Sequence, residues 1–107
     1  MADGQADVAE MVRRIVERFR PEKVILFGSR ARGAASPESD VDLLVVMRPR
    51  TTRRRQAAEI DLALADRRLP LDLLVVTPED LERDRDQSGT LLCPALREGK
   101  VLYERPA

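Results

Sequence analysis

The residues in this chain best equipped for chemistry are aspartates at the mouths of apolar runs. Asp40 and Asp42 open the stretch Asp40-Val41-Asp42-Leu43-Leu44-Val45-Val46. In a strand, side chains alternate between faces, so the two carboxylates point the same way. Like charges so placed repel, and a divalent cation is the commonest relief. Asp72 interrupts a second apolar run, between Leu71 and Leu73-Leu74-Val75-Val76. Upstream, Val24-Ile25-Leu26-Phe27 stops at Gly28-Ser29. Glycine lets backbone N–H groups approach phosphate oxygens closely, and a following helical turn points more of them that way. The Ser29 hydroxyl adds a donor. Arg30 and Arg32 either touch phosphates or face solvent, and Gly33 serves the backbone of the loop.

Each of these features has a plainer reading. Asp40 and Asp42 are also residues that cap or turn a chain. Asp72 also fits a solvent-facing position at a strand edge, and Gly28 an ordinary strand-ending turn. Near misses narrow the field. Gly28 to Gly33 has the glycine spacing of a P-loop, but the lysine that must follow is Ala34. Gly-x-Gly-x-x-Gly is absent, so a dinucleotide fold has no support. Metal-dependent glycosyltransferases share Asp-x-Asp but need a larger domain.

Taken together, the apolar strand, Gly28-Ser29, Gly33 and the pair Asp40 and Asp42 resemble the active-site signature of the polymerase-beta-like nucleotidyltransferases. The likeness is closest to their small single-domain members, the minimal nucleotidyltransferases, and extends to Gly99-Lys100-Val101-Leu102-Tyr103-Glu104. The resemblance implies an α/β (α+β) fold, a small mixed sheet flanked by helices. It implies that Asp40, Asp42 and Asp72 are catalytic and hold Mg²⁺ in a two-metal site, with Asp72 matching the third acid on a neighbouring strand. It implies that Gly28, Ser29, Arg30 and Gly33 bind the nucleotide, with ATP as substrate and AMP as the group moved. Many minimal members pair with a helical HEPN-type ribonuclease toxin, modify a hydroxyl on it and act as antitoxins.

The chemistry asks for no histidine. Nucleotidyl transfer needs a grip on the triphosphate, neutralised charge, and an acceptor hydroxyl in line with the leaving pyrophosphate; two metals about 4 Å apart serve the last two. There is no histidine in the chain, which excludes Ser-His-Asp hydrolysis and His-ligated zinc. Cys93 is alone, so neither an internal disulfide nor a thiolate cluster can form.

The 107 residues make one domain, 1–107, with one modest core. Lys+Arg and Asp+Glu are both 19, so net charge gives no push toward nucleic acid or membrane. The start of the chain lacks the basic and apolar regions of a signal peptide, and no apolar run is long enough to span a bilayer. The expected location is cytoplasmic. Oligomeric state is left open.

The elements that must position the acids follow from periodicity. Val8, Met11, Val12, Ile15, Val16 and Phe19 recur at helical spacing, predicting a helix over 6–20 ended by Pro21. Strands are expected over 23–27, 40–47 and 71–76, the second covered on both faces. Residues 28–39 form a loop with a short helical turn near 29–33. Arg48 to Arg55 holds five arginines, read as a solvated loop in preference to a nucleotide- or RNA-facing one. Thr51 or Thr52 caps a helix running to about Arg68 with Ala57, Ile60, Ala63 and Leu64 inward. Thr77-Pro78-Glu79-Asp80 reads as an N-cap, a proline at the first helical position, and acids in the first turn of a helix to about 86. A last helical segment over 88–99 and a short edge strand over 101–103 close the chain.

Two rival functions remain. One is a binding module that neutralises a partner by contact around a vestigial site. The other is a small-molecule nucleotidyltransferase of the aminoglycoside-modifying kind, although the extra helical substrate domain of its larger members is missing here.

Overall fold

The computed structural model describes residues 5–28, 30–31, 33, 40–85 and 99–106. Its elements run α1 (Gln5–Phe19), β1 (Lys23–Phe27), β2 (Val41–Val46), α2 (Arg53–Ala63), β3 (Leu71–Val76), α3 (Pro78–Arg85) and β4 (Lys100–Glu104). The segment expected to be helical over 88–99 lies outside the described residues, Gly99 apart.

One mixed sheet organises these elements in the order β3-β2-β1-β4. β1 is antiparallel to both β2 and β4, whereas β2 and β3 run parallel. The parallel pair requires a crossover, and α2 supplies it. The sheet separates two apolar layers because β1, β2 and β3 are apolar on both faces. Val24, Leu26, Val41, Leu43, Val45 and Val75 face α1 and α2, where Val8, Met11, Val12, Ile15, Ile60 and Leu64 complete the main core. On the other face Ile25, Leu44, Val46 and Val76 form a smaller cluster, with Leu81 of α3 packed against it. β2 is thus covered on both sides, as its double-faced apolar pattern predicts.

α1 forms as its periodicity requires. Val8, Met11, Val12 and Ile15 are buried, while Glu10, Arg13 and Glu17 pair on the outer face. It ends at Phe19, one residue early, because Arg20 adopts a left-handed φ of 52° ahead of Pro21. α2 begins where Thr52 accepts a hydrogen bond from Arg55 N at 3.1 Å. It stops at Ala63, well short of Arg68. From Ala65 to Arg68 no apolar side chain is buried, the next to pack on the core being Leu69, and other groups take the final carbonyls. Arg14 of α1 donates to Ala63 O at 2.9 Å, and Arg67 turns back to Leu64 O at 3.1 Å. β4 spans one residue more on each side than expected and pairs with β1 through a bulge near Val24 and Ile25.

Candidate active site

Three chain segments meet at one end of the sheet. β1 delivers its C-terminal end there, and β2 and β3 their N-terminal ends. Antiparallel pairing sets Phe27 opposite Asp42. Parallel pairing sets Asp42 opposite Asp72. Partners in register share a face, so the two carboxylates stand on adjacent strands and point the same way. This relation joins the two acids most directly, and the sequence alone does not contain it. Asp42 is half-buried and Asp72 exposed. Asp40 is exposed and stands one residue before the ladder, which begins where Val41 N donates to Pro70 O at 2.9 Å.

Gly28 closes the third side. Its φ is +76°, a left-handed conformation that side chains rarely adopt. A Cβ built there would lie 2.3 Å from Asp42 Oδ2 and 3.1 Å from its Cγ. The strand therefore turns at this point only because the residue has no side chain, and the turn backs directly onto the Asp42 carboxylate. After Gly28 the chain folds into two overlapping turns, with Ala31 N donating to Gly28 O at 3.1 Å and Gly33 N to Arg30 O at 3.3 Å. Ala31 is buried in the main core and anchors the loop. Arg30 is half-buried; Gly33 is exposed with φ +74° and open space around it. Ser29 and Arg32 lie outside the described residues.

Among the described residues, no three acidic, histidine or cysteine side chains converge tightly enough to enclose a metal by themselves. The donor set nonetheless suits Mg²⁺. That ion takes oxygen ligands, keeps several waters, and is commonly held by one or two carboxylates plus substrate phosphates. Asp42 and Asp72 side by side, with Asp40 at the strand entrance, offer oxygen donors alone.

At the opposite end of β3, Asp80 forms a centre that sequence reasoning reduced to an acid in a first helical turn. It is 7% exposed. Its Oδ2 accepts from Thr77 N at 3.1 Å and Arg53 Nη1 at 2.6 Å, and its Oδ1 from Arg83 Nη2 at 2.8 Å. Asp80 N donates in return to Thr77 Oγ1 at 3.0 Å. This is a reciprocal capping box, and its signature Thr-x-x-Asp is present in the sequence. The Thr77 N–H, aided by Arg53, holds the Asp80 carboxyl at about 2, against the opposing effect of burial. Gln56, also buried, accepts from Arg50 N at 3.1 Å and so ties the arginine-rich loop to α2. Of the five arginines in that loop, Arg48 pairs with Glu79 at 2.7 Å and Arg53 with Asp80 at 2.6 Å.

Comparison with known proteins identifies the family. The family model of the nucleotidyltransferase domain matches residues 8–103. A putative protein adenylyltransferase of Methanocaldococcus jannaschii is 32% identical over 103 residues, covering 90% of this chain and 69% of that protein. Among solved structures, a putative nucleotidyltransferase from Sulfolobus solfataricus superposes with a TM-score of 0.62 at 24% identity, over 94% of this chain and 79% of the other. A tri-AMPylated Shewanella oneidensis HEPN toxin in complex with MNT antitoxin gives 0.55 at 19% identity, over 94% of this chain and 72% of the other. The two structural likenesses concern the fold. The family model and the archaeal relative carry the assignment: this chain belongs to the nucleotidyltransferase domain family and is a nucleotidyltransferase.

Proposed function

We propose that this chain is a Mg²⁺-dependent adenylyltransferase that moves AMP from ATP to a hydroxyl on a partner protein. The observation that carries this reading is the juxtaposition of Asp42 with Asp72 and with the side-chain-free turn at Gly28. Asp40, Asp42 and Asp72 would hold Mg²⁺, which when bound neutralises the triphosphate and the leaving pyrophosphate. The turn that begins at Gly28 would seat the phosphates, with Ser29, Arg30 and Gly33 as the further nucleotide-binding residues. In the transfer the acceptor hydroxyl loses its proton to solvent, its oxygen bonds to the α-phosphorus, the bond from that phosphorus to the bridging oxygen breaks, and pyrophosphate leaves with the bonding electron pair. Among the described residues Asp72 stands exposed on an edge strand, open to an incoming hydroxyl.

The proposed partner is a helical HEPN-type toxin, neutralised by the modification, with both proteins in the cytoplasm. Two things support it: an antitoxin bound to such a toxin shares this fold, and apolar surface remains open on β4. Val101 and Leu102 are 52% and 38% exposed. Tyr103, by contrast, is partly buried against the main core. Among the described residues no helix is long and apolar enough to cross a membrane.

The test is co-expression with the product of the neighbouring gene, then incubation with ATP and Mg²⁺ and intact-mass measurement of both chains. The partner should gain AMP, and Asp72→Asn should stop the gain while retaining the complex. A stable complex with no added mass under any nucleotide and metal condition favours neutralisation by contact and removes the enzymatic reading. Modification of an aminoglycoside, with the partner left untouched, favours the small-molecule alternative.

A further inference from the structure

The outer edge of β3 opens into a groove of about 650 Å³, away from the aspartate pair. Its floor is Leu73, Leu74, Val75 and Val76, and its walls come from the first turns of α2 and from α3. The parallel ladder fixes which backbone groups face outward. Pro70 O and Val76 O both accept from β2, so the even-numbered residues of β3 point inward. The N–H and C=O groups of Leu73 and Val75 therefore point into the groove, and among the described residues no strand pairs with them. An open edge with an apolar floor is a template for one more strand.

Charge specifies what that strand should carry. Arg53, Arg54 and Arg83 line the groove, with Asp80 as their acidic counterweight. The first turn of α2 contains Arg53, Arg54 and Arg55 and no acid. Cations at a helix N-terminus oppose the helix dipole, so the sequence breaks a local rule there. Local rules are broken most often where function requires it. A second copy of this chain would bring the same arginines against these. Nucleic acid would find no aromatic side chain in the groove on which to stack. An extended segment with acidic residues flanking apolar ones meets both the backbone and the charge.

We propose that the β3 edge is a docking site where an acidic, extended segment of a partner protein adds as a fifth strand between α2 and α3. The proposal does not depend on the site being catalytically active.

The probe is a fluorescent peptide, Glu-Val-Thr-Val-Glu with blocked ends, titrated into the intact protein and followed by anisotropy. Four companions accompany it: two versions of the same peptide, each N-methylated at alternate residues along one edge, a version with lysine for glutamate, and a single-stranded RNA oligonucleotide. Saturable binding is expected, lost on N-methylation of one edge but not the other, and lost with the lysine version. Arg54→Glu should weaken it at least about fivefold, roughly 1 kcal/mol, with a melting temperature no lower than the parent's, since an acid in the first turn of α2 suits the helix dipole. Amide exchange at Leu73 and Val75 should slow when the peptide binds, whereas a merely electrostatic contact would leave it unaltered. Equal binding by both N-methylated peptides, tighter binding of the RNA, or no saturation up to roughly 1 mM peptide each overturns the proposal.

Discussion

Replacing Gly28 with alanine separates the role of the turn in folding from its role beside Asp42. Two costs are predicted. The first is backbone strain, since φ is +76° and a residue with a Cβ pays about 1–2 kcal/mol in that region. Alanine also narrows the unfolded ensemble, which returns about 0.4–1 kcal/mol. The net loss is about 1 kcal/mol, or a Tm lower by about 5 °C for a domain of this size. The second cost is local. Ordinary contact begins at 3.4 Å, but the new Cβ would lie 2.3 Å from Asp42 Oδ2. The carboxylate must retreat by roughly 1 Å, a displacement that costs about 100-fold in rate at a catalytic position. Gly33→Ala is the comparison, because φ there is +74° and nothing lies within 4 Å of the added Cβ. Both variants should melt about 5 °C early, and transfer of labelled AMP should fall far further in Gly28→Ala. If the two lose activity equally, the contact with Asp42 is irrelevant and the reasoning fails.

Other outcomes follow from the same geometry. Without Mg²⁺, Asp72→Asn should raise stability by about 0.2–1 kcal/mol, because like charges opposed on adjacent strands repel; a melting curve that shifts downward contradicts the in-register pair. Asp80→Asn should cost on the order of 1–2 kcal/mol near neutral pH by removing the ionic acceptor of Arg53 and Arg83. Because the folded carboxyl titrates at about 2 and its ordinary value is 3.8, its contribution is complete above 3.8 and disappears as pH falls toward 2. Denaturant titrations of the two proteins should therefore converge across that window, and a constant difference would show that ionisation is not the cause. If the proposed toxin partner docks on β4, Leu102→Asp should weaken that complex and leave the fold intact, as Leu102 is 38% exposed; unchanged co-elution would place the interface elsewhere.

What the sequence made legible depended on how local each signal is. The three site-bearing strands were readable because Val24–Phe27, Val41–Val46 and Leu71–Val76 are apolar runs, broken only by Asp42 and Asp72, with turn residues nearby. The helical stripe from Val8 to Phe19 was equally plain. The register of β2 against β3 was not, because parallel neighbours are aligned by how α2 packs, and no short-range pattern encodes that. Hence Asp72 could be joined to Asp42 only through family resemblance. The contact between Gly28 and Asp42 is likewise a product of strand pairing. Asp80 was half legible: its capping box is a local signal, but its bonds to Arg53 span two elements. The end of α2 was overrun because Ala65, Arg67 and Arg68 are good helix formers, and propensity gave no warning that the helical apolar stripe ends at Leu64.

The central claim is that the acids beside Gly28 hold a metal that carries the nucleotide. Calorimetric titration of ATP into the protein, with Mg²⁺ and again in EDTA, tests it most directly when repeated on the double variant Asp40→Asn with Asp42→Asn. The account predicts binding in Mg²⁺ that is lost in EDTA, and a double variant that binds equally poorly in both while melting no lower than the parent. Equal affinity in Mg²⁺ and EDTA, or full Mg²⁺-dependent binding by the double variant, would contradict it.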